Sequence, residues 1–475
     1  MNIKLLQQDA PCRWRLEKHG QMNVDAVFFG DKDIILQLDD TTLAQVRDVA
    51  SLPGVVGPVC AMPDAHSGYG FPIGGVGAFD QERGVVSAGG VGFDISCGVR
   101  TITTGLKRQD LFSCDAKLAD LLFRRIPCGT GEGGEIILEG CDMDEMLLGG
   151  ASWAVGMGMG RPEDLGRIEC NGRNTFADPS KVSIQAKQRM RNQMGSLGSG
   201  NHYLEVQYVE TIYDRKTAEA FGIAEEDVLV SVHCGSRGLG HQIAKEYLPL
   251  MEKAAPAFGI KLPSRDIACA PIRSELGQDY LGAMGAGINC ALANRQVLTH
   301  LIRECFAELF PKADLKLLYD VSHNTCHKEE FLIKGNRKSV YVHRKGATRA
   351  LGPGHPELPR EFRKTGQPVI IGGSMGTASY ILAGTAEAAD ISFSSCCHGA
   401  GRAMSRAQAR KAFKGNRIQN ELGRKGIIVH TASVRGIAEE APDAYKDVDS
   451  VVLATERAGI SRMIAKLRPI LCIKG

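Results

Sequence analysis

Long apolar runs are missing from this chain of 475 residues. No stretch reaches the roughly eighteen consecutive apolar residues that mark a membrane-spanning helix. The segment 1–10 is broken by polar and acidic side chains where a signal peptide needs a continuous apolar stretch. We therefore expect neither membrane insertion nor export.

Dense cysteine spacing is also missing. The fifteen cysteines are scattered from Cys12 to Cys472 without the regular pattern of a secreted disulfide scaffold, and no Cys-x-x-Cys pair occurs. Most of these thiols are interpreted as small buried apolar side chains, including the adjacent Cys396 and Cys397, for which redox sensitivity is the alternative. This cysteine usage predicts a cytoplasmic protein.

The chain has little net charge, +3 at pH 7, so charge alone does not identify a nucleic-acid-binding protein. The basic side chains are nevertheless unevenly placed. Segment 399–426 carries eight of them against the single acid Glu421, and segment 334–364 is a second basic stretch. Phosphate-rich ligands would suit both segments, whereas a solvated helix face is the alternative for outer residues such as Lys411 and Lys414.

Short β-rich runs and one long helical stripe give a mixed α and β pattern. Strands are predicted at 228–233, 315–320, 339–343 and 368–372, and a helix at 280–309. Segment 129–150 resembles an insertion or mobile loop, and 171–180 is rich in turn residues. Length alone favours about three domains, but potential metal ligands lie on both sides of these breaks, so a single domain over 1–475 is possible.

Five side chains in loops rich in small residues have the chemistry of metal ligands. Asp94 and Cys97 are three residues apart in a glycine-rich segment, and His202, His233 and His323 each occupy a short turn. Any one of them alone is more often structural. Three imidazoles, a carboxylate and a thiolate exceed what one tetrahedral ion uses, so the set favours two metals with the thiolate bridging.

Two further features favour a phosphate substrate. Segment 372–379 follows a strand and offers amides and three hydroxyls that could cradle an anion, although it lacks the Gly-Lys-Ser/Thr ending of a P-loop. His398 is followed by Gly-Ala-Gly-Arg402, which leaves its imidazole uncrowded, as a nucleophile requires. If a helix begins at His398, Arg402 and Arg406 share its face.

In these motifs the chain resembles the RtcB family of GTP-dependent RNA ligases. The resemblance rests on segments in family order from about residue 60 to the last: 62–74, Gly92-Phe-Asp-Ile-Ser-Cys-Gly98, 195–205, His233-Cys-Gly-Ser-Arg-Gly238, Ser322-His-Asn324, 343–349, 373–379, His398-Gly-Ala-Gly-Arg402 and Lys474-Gly475. It implies an α+β fold: a single large domain, 1–475, of mixed β-sheets flanked by helices around a deep active-site cleft.

The resemblance also implies the site residues. Asp94, Cys97, His202, His233 and His323 would hold two Mn²⁺ ions with Cys97 shared, and His398 would become guanylylated. Arg237, Lys345, Arg402 and Arg406 would bind phosphates or RNA. The implied GTP-binding residues are Asn201, His202, Tyr203, Leu204, Glu205, His323, Asn324, Gly372, Gly373, Ser374, Met375, Ser379, His398, Gly399, Ala400, Gly401 and Lys474.

The implied reaction joins an RNA 3′-phosphate or 2′,3′-cyclic phosphate end to a 5′-hydroxyl end, through GMP carried first by histidine and then by the RNA 3′ end. It belongs to tRNA splicing or RNA repair. Archease as an activating partner is left open, and a monomer is expected because one chain supplies the whole site. Thiolate and imidazole donors favour a borderline metal over magnesium.

Two other functions were weighed against ligation. A dinuclear phosphoesterase acting on RNA ends would use the five ligands but give His398 and segment 372–379 no task, and a non-enzymatic RNA-binding or metal-sensing protein would not need so many reactive groups. Cys234 and Cys290 stand where serine and tyrosine are common in the family, and neither is a ligand position. The Lys-x-Asp-Gly motif of lysine-nucleophile ligases is absent.

Overall fold

A computed structural model describes residues 5–129 and 131–475. Its strands are β1 (Gln7–Ala10), β2 (Arg13–Leu16), β3 (Ala26–Phe29), β4 (Val55–His66), β5 (Ile73–Asp80), β6 (Val85–Ser87), β7 (Gly98–Lys107), β8 (Tyr203–Ile212), β9 (Asp227–Cys234), β10 (Cys269–Pro271), β11 (Lys316–Ser322), β12 (Asn324–Ile333), β13 (Asn336–Lys345), β14 (Ala347–Arg349), β15 (Pro368–Ile371), β16 (Ser379–Gly384), β17 (Ser395–Cys397), β18 (Ile428–Thr431) and β19 (Ser461–Lys474).

Its helices are α1 (Lys32–Leu36), α2 (Asp40–Ser51), α3 (Ala88–Val91), α4 (Asp115–Arg125), α5 (Gly140–Gly149), α6 (Ala151–Gly156), α7 (Pro162–Leu165), α8 (Ile184–Met190), α9 (Arg215–Phe221), α10 (Arg237–Ala254), α11 (Glu275–Leu309), α12 (Ala388–Ser392), α13 (Arg406–Ala412), α14 (Gly415–Arg424), α15 (Val434–Glu439) and α16 (Val448–Arg457). None of these helices in the described ranges is long and apolar enough to cross a membrane.

Two large sheets organise the strands. One has the order β1-β2-β3-β4-β5-β13-β12, and the other has the order β11-β7-β9-β8-β19-β16-β15 with β18 pairing with β19. The pairs β3·β4 and β18·β19 are parallel, and the other paired strands within these two sheets are antiparallel. Two short ribbons, β6·β10 and β14·β17, complete the pairing. The expected α+β fold of mixed sheets and helices is confirmed.

The second sheet brings its functional loops to one edge. In its antiparallel register Gly98 pairs with both Cys234 and Ser322, and Tyr203 pairs with His233. The starts of β7 and β8 therefore lie beside the ends of β9 and β11. Residues that precede or follow these strand ends meet in space although they are far apart in sequence.

Helix α11 packs against this sheet at β9. Its 35 residues begin after the N-cap Ser274, whose hydroxyl accepts the Gly277 amide, and most of its side chains are buried. This helix contains the predicted span 280–309 and extends it toward the N-terminus. The four predicted strands are likewise confirmed within β9, β11, β13 and β15.

Two local expectations were wrong. Segment 129–150 is not simply a loop, because α5 occupies Gly140–Gly149 and buries Met143, Met146 and Leu147. No helix begins at His398. Helix α13 begins only at Arg406, where Ser405 and Gln408 form a reciprocal capping box. Before it, Gly401 has a φ of 75°, which a regular helix excludes. Arg402 and Arg406 therefore do not share a helix face with His398.

Candidate active site

The five predicted metal ligands converge at the edge of the second sheet. The Cys97 sulfur lies 3.3 Å from His202 Nε2 and 3.2 Å from His233 Nε2. His202 Nε2 is 2.9 Å from an Asp94 oxygen, and His233 Nε2 is 3.2 Å from His323 Nε2. Cys97 precedes β7, His202 precedes β8, His233 is the penultimate residue of β9 and His323 follows β11, so the sheet register brings the cluster together.

The donor atoms form two overlapping groups that share the thiol. Cys97, His233 and His323 are one group, Asp94, Cys97 and His202 are the other, and the donor atoms within each group lie within 4.8 Å of one another. Two sets of donors that share one sulfur could hold two neighbouring metal ions, with the sulfur as a common ligand. The residues present therefore fit a pair of borderline metal ions.

Hydrogen bonds turn two of the imidazoles toward this centre. His202 Nδ1 lies 3.1 Å from the Leu197 carbonyl oxygen, and His233 Nδ1 lies 3.1 Å from the Asn201 carbonyl oxygen. A ring that donates from Nδ1 keeps the Nε2 lone pair for a metal. Burial lowers the pKa of His233 and of His323 well below the usual value, which favours the neutral, metal-binding form.

The surroundings of the Cys97 thiol disfavour its ionised form. Burial, reinforced by the neighbouring Asp94 carboxylate, raises the pKa of this thiol well above its usual value. In this cluster, imidazole nitrogen lone pairs lie within hydrogen-bonding distance of a carboxylate and a sulfur. These groups repel one another unless protons or metal ions lie between them. A bound cation would lower the thiol pKa and turn this repulsion into coordination.

A buried arginine beneath the cluster ties the ligand segments together. Arg295 of α11 donates to the carbonyl oxygens of Ser96 and Cys234 at 2.7 and 2.9 Å and to the Ser322 hydroxyl at 3.1 Å. These three acceptors adjoin Cys97, His233 and His323. Asp320 balances the charge by accepting from Arg295 and also from the buried Arg100. Nothing in the sequence pattern singled out Arg295, because its role depends on contacts across the fold.

His398 lies beside the metal-ligand cluster but outside both donor groups. It follows β17, its ring centre is 4.6 Å from that of His323, and its side chain is 14% exposed. Its Nδ1 is 2.7 Å from an Asp64 oxygen, and the backbone amides of His398 and Gly399 donate to the same oxygen at 3.2 and 3.3 Å. An Nδ1–H held by a carboxylate leaves Nε2 as the nucleophilic nitrogen.

Asp64 is a site residue that the sequence reasoning missed. It lies in β4 of the first sheet and is fully buried. Segment 62–74 contained it, but a single aspartate in a motif gives no indication of a partner more than 300 residues away. Lys446 donates to the Pro63 and Ala65 carbonyl oxygens at 3.2 and 2.7 Å and fixes the backbone on both sides of Asp64.

Glu205 and Lys474 line the same cavity and lie on neighbouring strands β8 and β19, where Tyr203 pairs with Lys474 and Glu205 with Cys472. A Glu205 oxygen accepts from Gln207 Nε2 at 2.7 Å, and the same nitrogen donates to the Ser379 hydroxyl at 3.0 Å. Burial raises the pKa of Glu205 to about 7, while Lys474 acts in the opposite direction. The alternation of β8 turns Leu204 into the core, so its predicted nucleotide contact would be a backbone one.

Segment 372–379 is more fully bonded than the sequence indicated. The Gly373 amide donates to the Ser379 hydroxyl at 3.3 Å, and the Ser374 amide donates to the Thr377 hydroxyl at 2.8 Å. These two amides are therefore not free, which corrects the expectation of an open anion cradle. The loop instead forms part of the cavity wall. Its Gly372 carbonyl oxygen accepts a hydrogen bond of 3.2 Å from the amide of Ala400, close to His398.

The four predicted phosphate-binding cations differ in their partners. Arg402 Nη1 is 3.3 Å from Glu440, and its guanidinium lies 4.9 Å from the ring centre of Tyr445. Arg406 also pairs with Glu440, at 3.1 Å, but its side chain is 49% exposed. Lys345 donates to the Tyr69 and Gly89 carbonyl oxygens, and burial lowers its pKa to about 7. Arg237 begins α10 and donates to the Ser196 hydroxyl at 3.2 Å.

One cavity of about 640 Å³ joins these groups. Its lining does not include four of the predicted residues, His202, Leu204, Arg237 and Ser379, although His202 touches the lining residues Asp94 and Cys97. The predicted residues that line it are Asp94, Cys97, Asn201, Tyr203, Glu205, His233, His323, Asn324, Lys345, Gly372, Gly373, Ser374, Met375, His398, Gly399, Ala400, Gly401, Arg402, Arg406 and Lys474.

The cysteines other than Cys97 are mostly buried. Eleven of these fourteen, including Cys396 and Cys397, are buried free thiols. Cys234 lies next to the ligand His233, but its sulfur points to the Leu197 carbonyl oxygen at 3.0 Å. This agrees with its interpretation as a non-ligand.

Comparison with known proteins gives one consistent result. Residues 45–475 match the family described as tRNA-splicing ligase RtcB. The chain is 48% identical over 469 residues to the tRNA-splicing ligase RtcB of Thermococcus kodakarensis, covering 98% of this chain and 97% of the relative. It is 46% identical over 482 residues to that of Archaeoglobus fulgidus, with 100% of both chains covered. The RNA-splicing ligase RtcB of Mycobacterium tuberculosis is 51% identical over 434 residues, 91% of this chain and 100% of the relative.

Proposed function

Because the chain belongs to the RtcB family, we propose that it is an RNA ligase of tRNA splicing or RNA repair. It joins RNA 3′-phosphate or 2′,3′-cyclic phosphate ends to 5′-hydroxyl ends, with GTP as the second substrate and two Mn²⁺ ions held by Asp94, Cys97, His202, His233 and His323. The observation that carries the proposal is the Asp64–His398 hydrogen bond of 2.7 Å beside two donor groups that share Cys97.

Each residue has a task in this proposal. Asp64 holds the Nδ1 proton of His398, so Nε2 attacks the α-phosphate of GTP, a P–N bond forms and pyrophosphate leaves. The Asp64 carboxylate stabilises the positive charge that develops on the ring. Water first opens a 2′,3′-cyclic phosphate end to a 3′-phosphate and a free 2′-hydroxyl. The RNA 3′-phosphate then takes the GMP from His398, and the 5′-hydroxyl of the second strand displaces the GMP to form the phosphodiester. The metal ions supply charge neutralisation for each phosphoryl transfer when they are bound.

Glu205 and Lys474 are proposed to select guanine. A carboxylate accepts hydrogen bonds from guanine N1–H and the exocyclic amine, and an ammonium group donates to the ring carbonyl. Adenine has a hydrogen-bond acceptor where guanine has the N1–H donor, and a donor where guanine has the ring carbonyl, so it does not match these side chains. Arg237, Lys345, Arg402 and Arg406 are proposed to hold the phosphates of the nucleotide and of RNA.

Several family expectations remain predictions for this chain. They are a single catalytic domain over 1–475, a monomer, a cytoplasmic location and an optional dependence on archease. The dinuclear phosphoesterase is the second candidate, and no feature of the site favours it, because it would leave the Asp64–His398 pair unused.

A labelling experiment tests the proposal. Incubation with α-labelled GTP and Mn²⁺ should leave an acid-labile, alkali-stable label on the protein, as a phosphoramidate requires. The His398→Ala variant should lose the label, whereas the matched His300→Ala variant, altered in a half-buried histidine that pairs with Glu304, should keep it. A wild-type protein that joins or hydrolyses RNA ends without ever carrying label would refute the proposal.

A further inference from the structure

One side of the cavity is used by neither the metal donors nor the proposed guanine contacts. It is lined by Tyr69, Phe93 and Lys345, and Phe93 immediately precedes the metal ligand Asp94. Whatever occupies this side therefore lies close to the reacting phosphates. The guanine of GTP cannot be that occupant in the proposed reaction, because Glu205 and Lys474 hold it elsewhere.

Two aromatic rings stand side by side here. Tyr69 and Phe93 pack edge to face with ring centres 5.3 Å apart, and Phe93 packs against His241 at 5.2 Å. Tyr69 is nevertheless 38% exposed, and both rings line the cavity, so they are accessible from it. The Tyr69 hydroxyl bonds to Asp266, which fixes the ring without covering it.

Cations accompany this aromatic pair. The Lys345 ammonium group is bonded to the Tyr69 carbonyl oxygen and is buried beside Gly92. Arg189 lies on the far side, 3.3 Å from His241 Nδ1 and exposed. Aromatic rings flanked by cations are the usual chemistry of single-stranded RNA recognition, in which bases stack on rings and phosphates meet positive charge.

The proposed reaction requires such a surface. An RNA end that reaches His398 and the metal centre must leave its helix, so its terminal base loses a stacking neighbour. A fixed aromatic platform next to the reacting groups would replace that neighbour and hold the terminal phosphate or hydroxyl in place. Aromatic rings with only a packing role would not provide this stacking contact.

We propose that Tyr69 and Phe93 form a stacking platform for the unpaired terminal base of an RNA strand that enters the cavity. The inference rests on the proposed RNA ligase function. The strand is either the one that ends in a 3′-phosphate or the one that ends in a 5′-hydroxyl, and the experiment distinguishes them.

The experiment measures ligation at saturating GTP with RNA pairs that differ in one abasic nucleotide. The abasic position is the 3′-terminal nucleotide of one strand, the 5′-terminal nucleotide of the other, or an interior position of either strand as the control. For the unaltered protein, one terminal abasic substitution should raise the KM for RNA about tenfold with little change in kcat, since stacking one base is worth about this much. The interior substitution should have no such effect.

The protein side of the experiment uses Tyr69→Leu and Phe93→Leu, with Tyr69→Phe as the matched control that keeps the ring. Tyr69→Leu should raise the KM for intact RNA about tenfold. With the abasic substrate the same substitution should not raise the KM further, because the stacking contact between base and ring is already lost. Tyr69→Phe should stay near the unaltered protein. All three variants should accept the GTP label on His398 without RNA.

Three results would overturn the platform: equal KM values for all terminal and interior abasic substrates, unchanged KM in both leucine variants, or an undiminished abasic penalty in Tyr69→Leu. The first result needs no variant, so it holds even if a variant does not fold. Failure of the unaltered protein to ligate intact RNA overturns both this inference and the proposed function, whereas ligation without a base effect overturns this inference alone.

Discussion

The metal-ligand cluster and the His398 pocket share one cavity but are built in different ways. The cluster is formed at the edge of one sheet, where strand register brings Cys97, His202, His233 and His323 together. The His398 pocket is formed between the loop that follows β17 of a two-stranded ribbon and β4 of the first large sheet, which carries its partner Asp64. Metal binding and nucleophile orientation therefore depend on separate sets of contacts.

The two regions also differ in how their polar groups are balanced. The cluster brings a carboxylate, a thiol and three imidazoles close together, and bound metal ions would relieve the repulsion between their lone pairs. Asp64 instead receives three hydrogen bonds from the backbone and ring of the loop that it orients. This difference predicts that a change in one region leaves the other intact.

Loss of the shared ligand should have the largest effect. Cys97→Ala removes the donor common to both metal groups, so we expect metal binding to fall and ligation to drop by about 10³-fold or more. Cys290→Ala is the matched control, because Cys290 is a fully buried core thiol outside both donor groups, with its sulfur 3.7 Å from the Ser236 carbonyl oxygen. Metal content by mass spectrometry and ligation rate should separate the two variants. Equal losses in both would mean that Cys97 acts only through packing.

Asp64→Asn tests the other region. A neutral amide cannot stabilise the developing imidazolium, so labelling of the protein by GTP should slow by on the order of 10²- to 10³-fold. Metal content should stay at the level of the unaltered protein, because Asp64 contacts none of the five ligands. Loss of metal in this variant would break the separation between the two regions.

Arg295 and Arg100 offer a finer comparison beneath the cluster. Both are fully buried and both pair with Asp320. Of the two, only Arg295 donates hydrogen bonds to segments that carry predicted metal ligands. Arg295→Met should weaken Mn²⁺ affinity by about 10- to 100-fold, the usual cost of losing an outer support of metal ligands. Arg100→Met should destabilise the fold to a similar extent, while Mn²⁺ affinity stays unchanged.

Titration calorimetry with Mn²⁺ and thermal unfolding measure the two quantities separately. Arg295→Lys should restore the charge but not the affinity, because lysine lacks the planar fork that reaches three acceptors at once. Similar metal affinities in the Arg295→Met and Arg100→Met variants would show that Arg295 has no positioning role.

The smallest expected effect concerns Glu205. Since burial raises the pKa of this carboxyl to about 7, it is largely protonated at pH 6 and largely ionised at pH 8. Only the ionised form accepts both guanine hydrogen bonds, so the KM for GTP should fall several-fold between these pH values. In Glu205→Gln this fall in KM between pH 6 and pH 8 should be lost, while any contribution from Lys345, which loses its charge over the same range, should remain. The preference for GTP over ATP should shrink about tenfold. A preference that survives unchanged would assign guanine recognition to other residues.

The sequence allowed the ligand set and His398 to be predicted, because their motifs are local and each residue has a distinctive chemistry. It could not reveal Asp64 or Arg295. Both act through contacts that join distant parts of the chain, and a lone aspartate or arginine has no local signature. The amides of segment 372–379 looked free for the same reason, since Thr377 and Ser379 bind them only once the loop is folded.

The helix expected at His398 shows the limit of spacing arguments. Residues 398, 402 and 406 have helical spacing, but Gly401 must take a positive φ because the loop passes directly over Asp64, where a Cβ atom would meet the Asp64 carbonyl oxygen. The close approach that orients His398 therefore prevents the helix. A functional contact overrides the local pattern here.

Anomalous scattering from crystals grown with Mn²⁺ tests most directly whether the cluster is a two-metal centre with a shared thiolate next to a separate nucleophile. The account predicts two distinct peaks, both within bonding distance of the Cys97 sulfur, with His398 coordinating neither ion. A single peak, two ions that do not share Cys97, or an ion bound by His398 would contradict it.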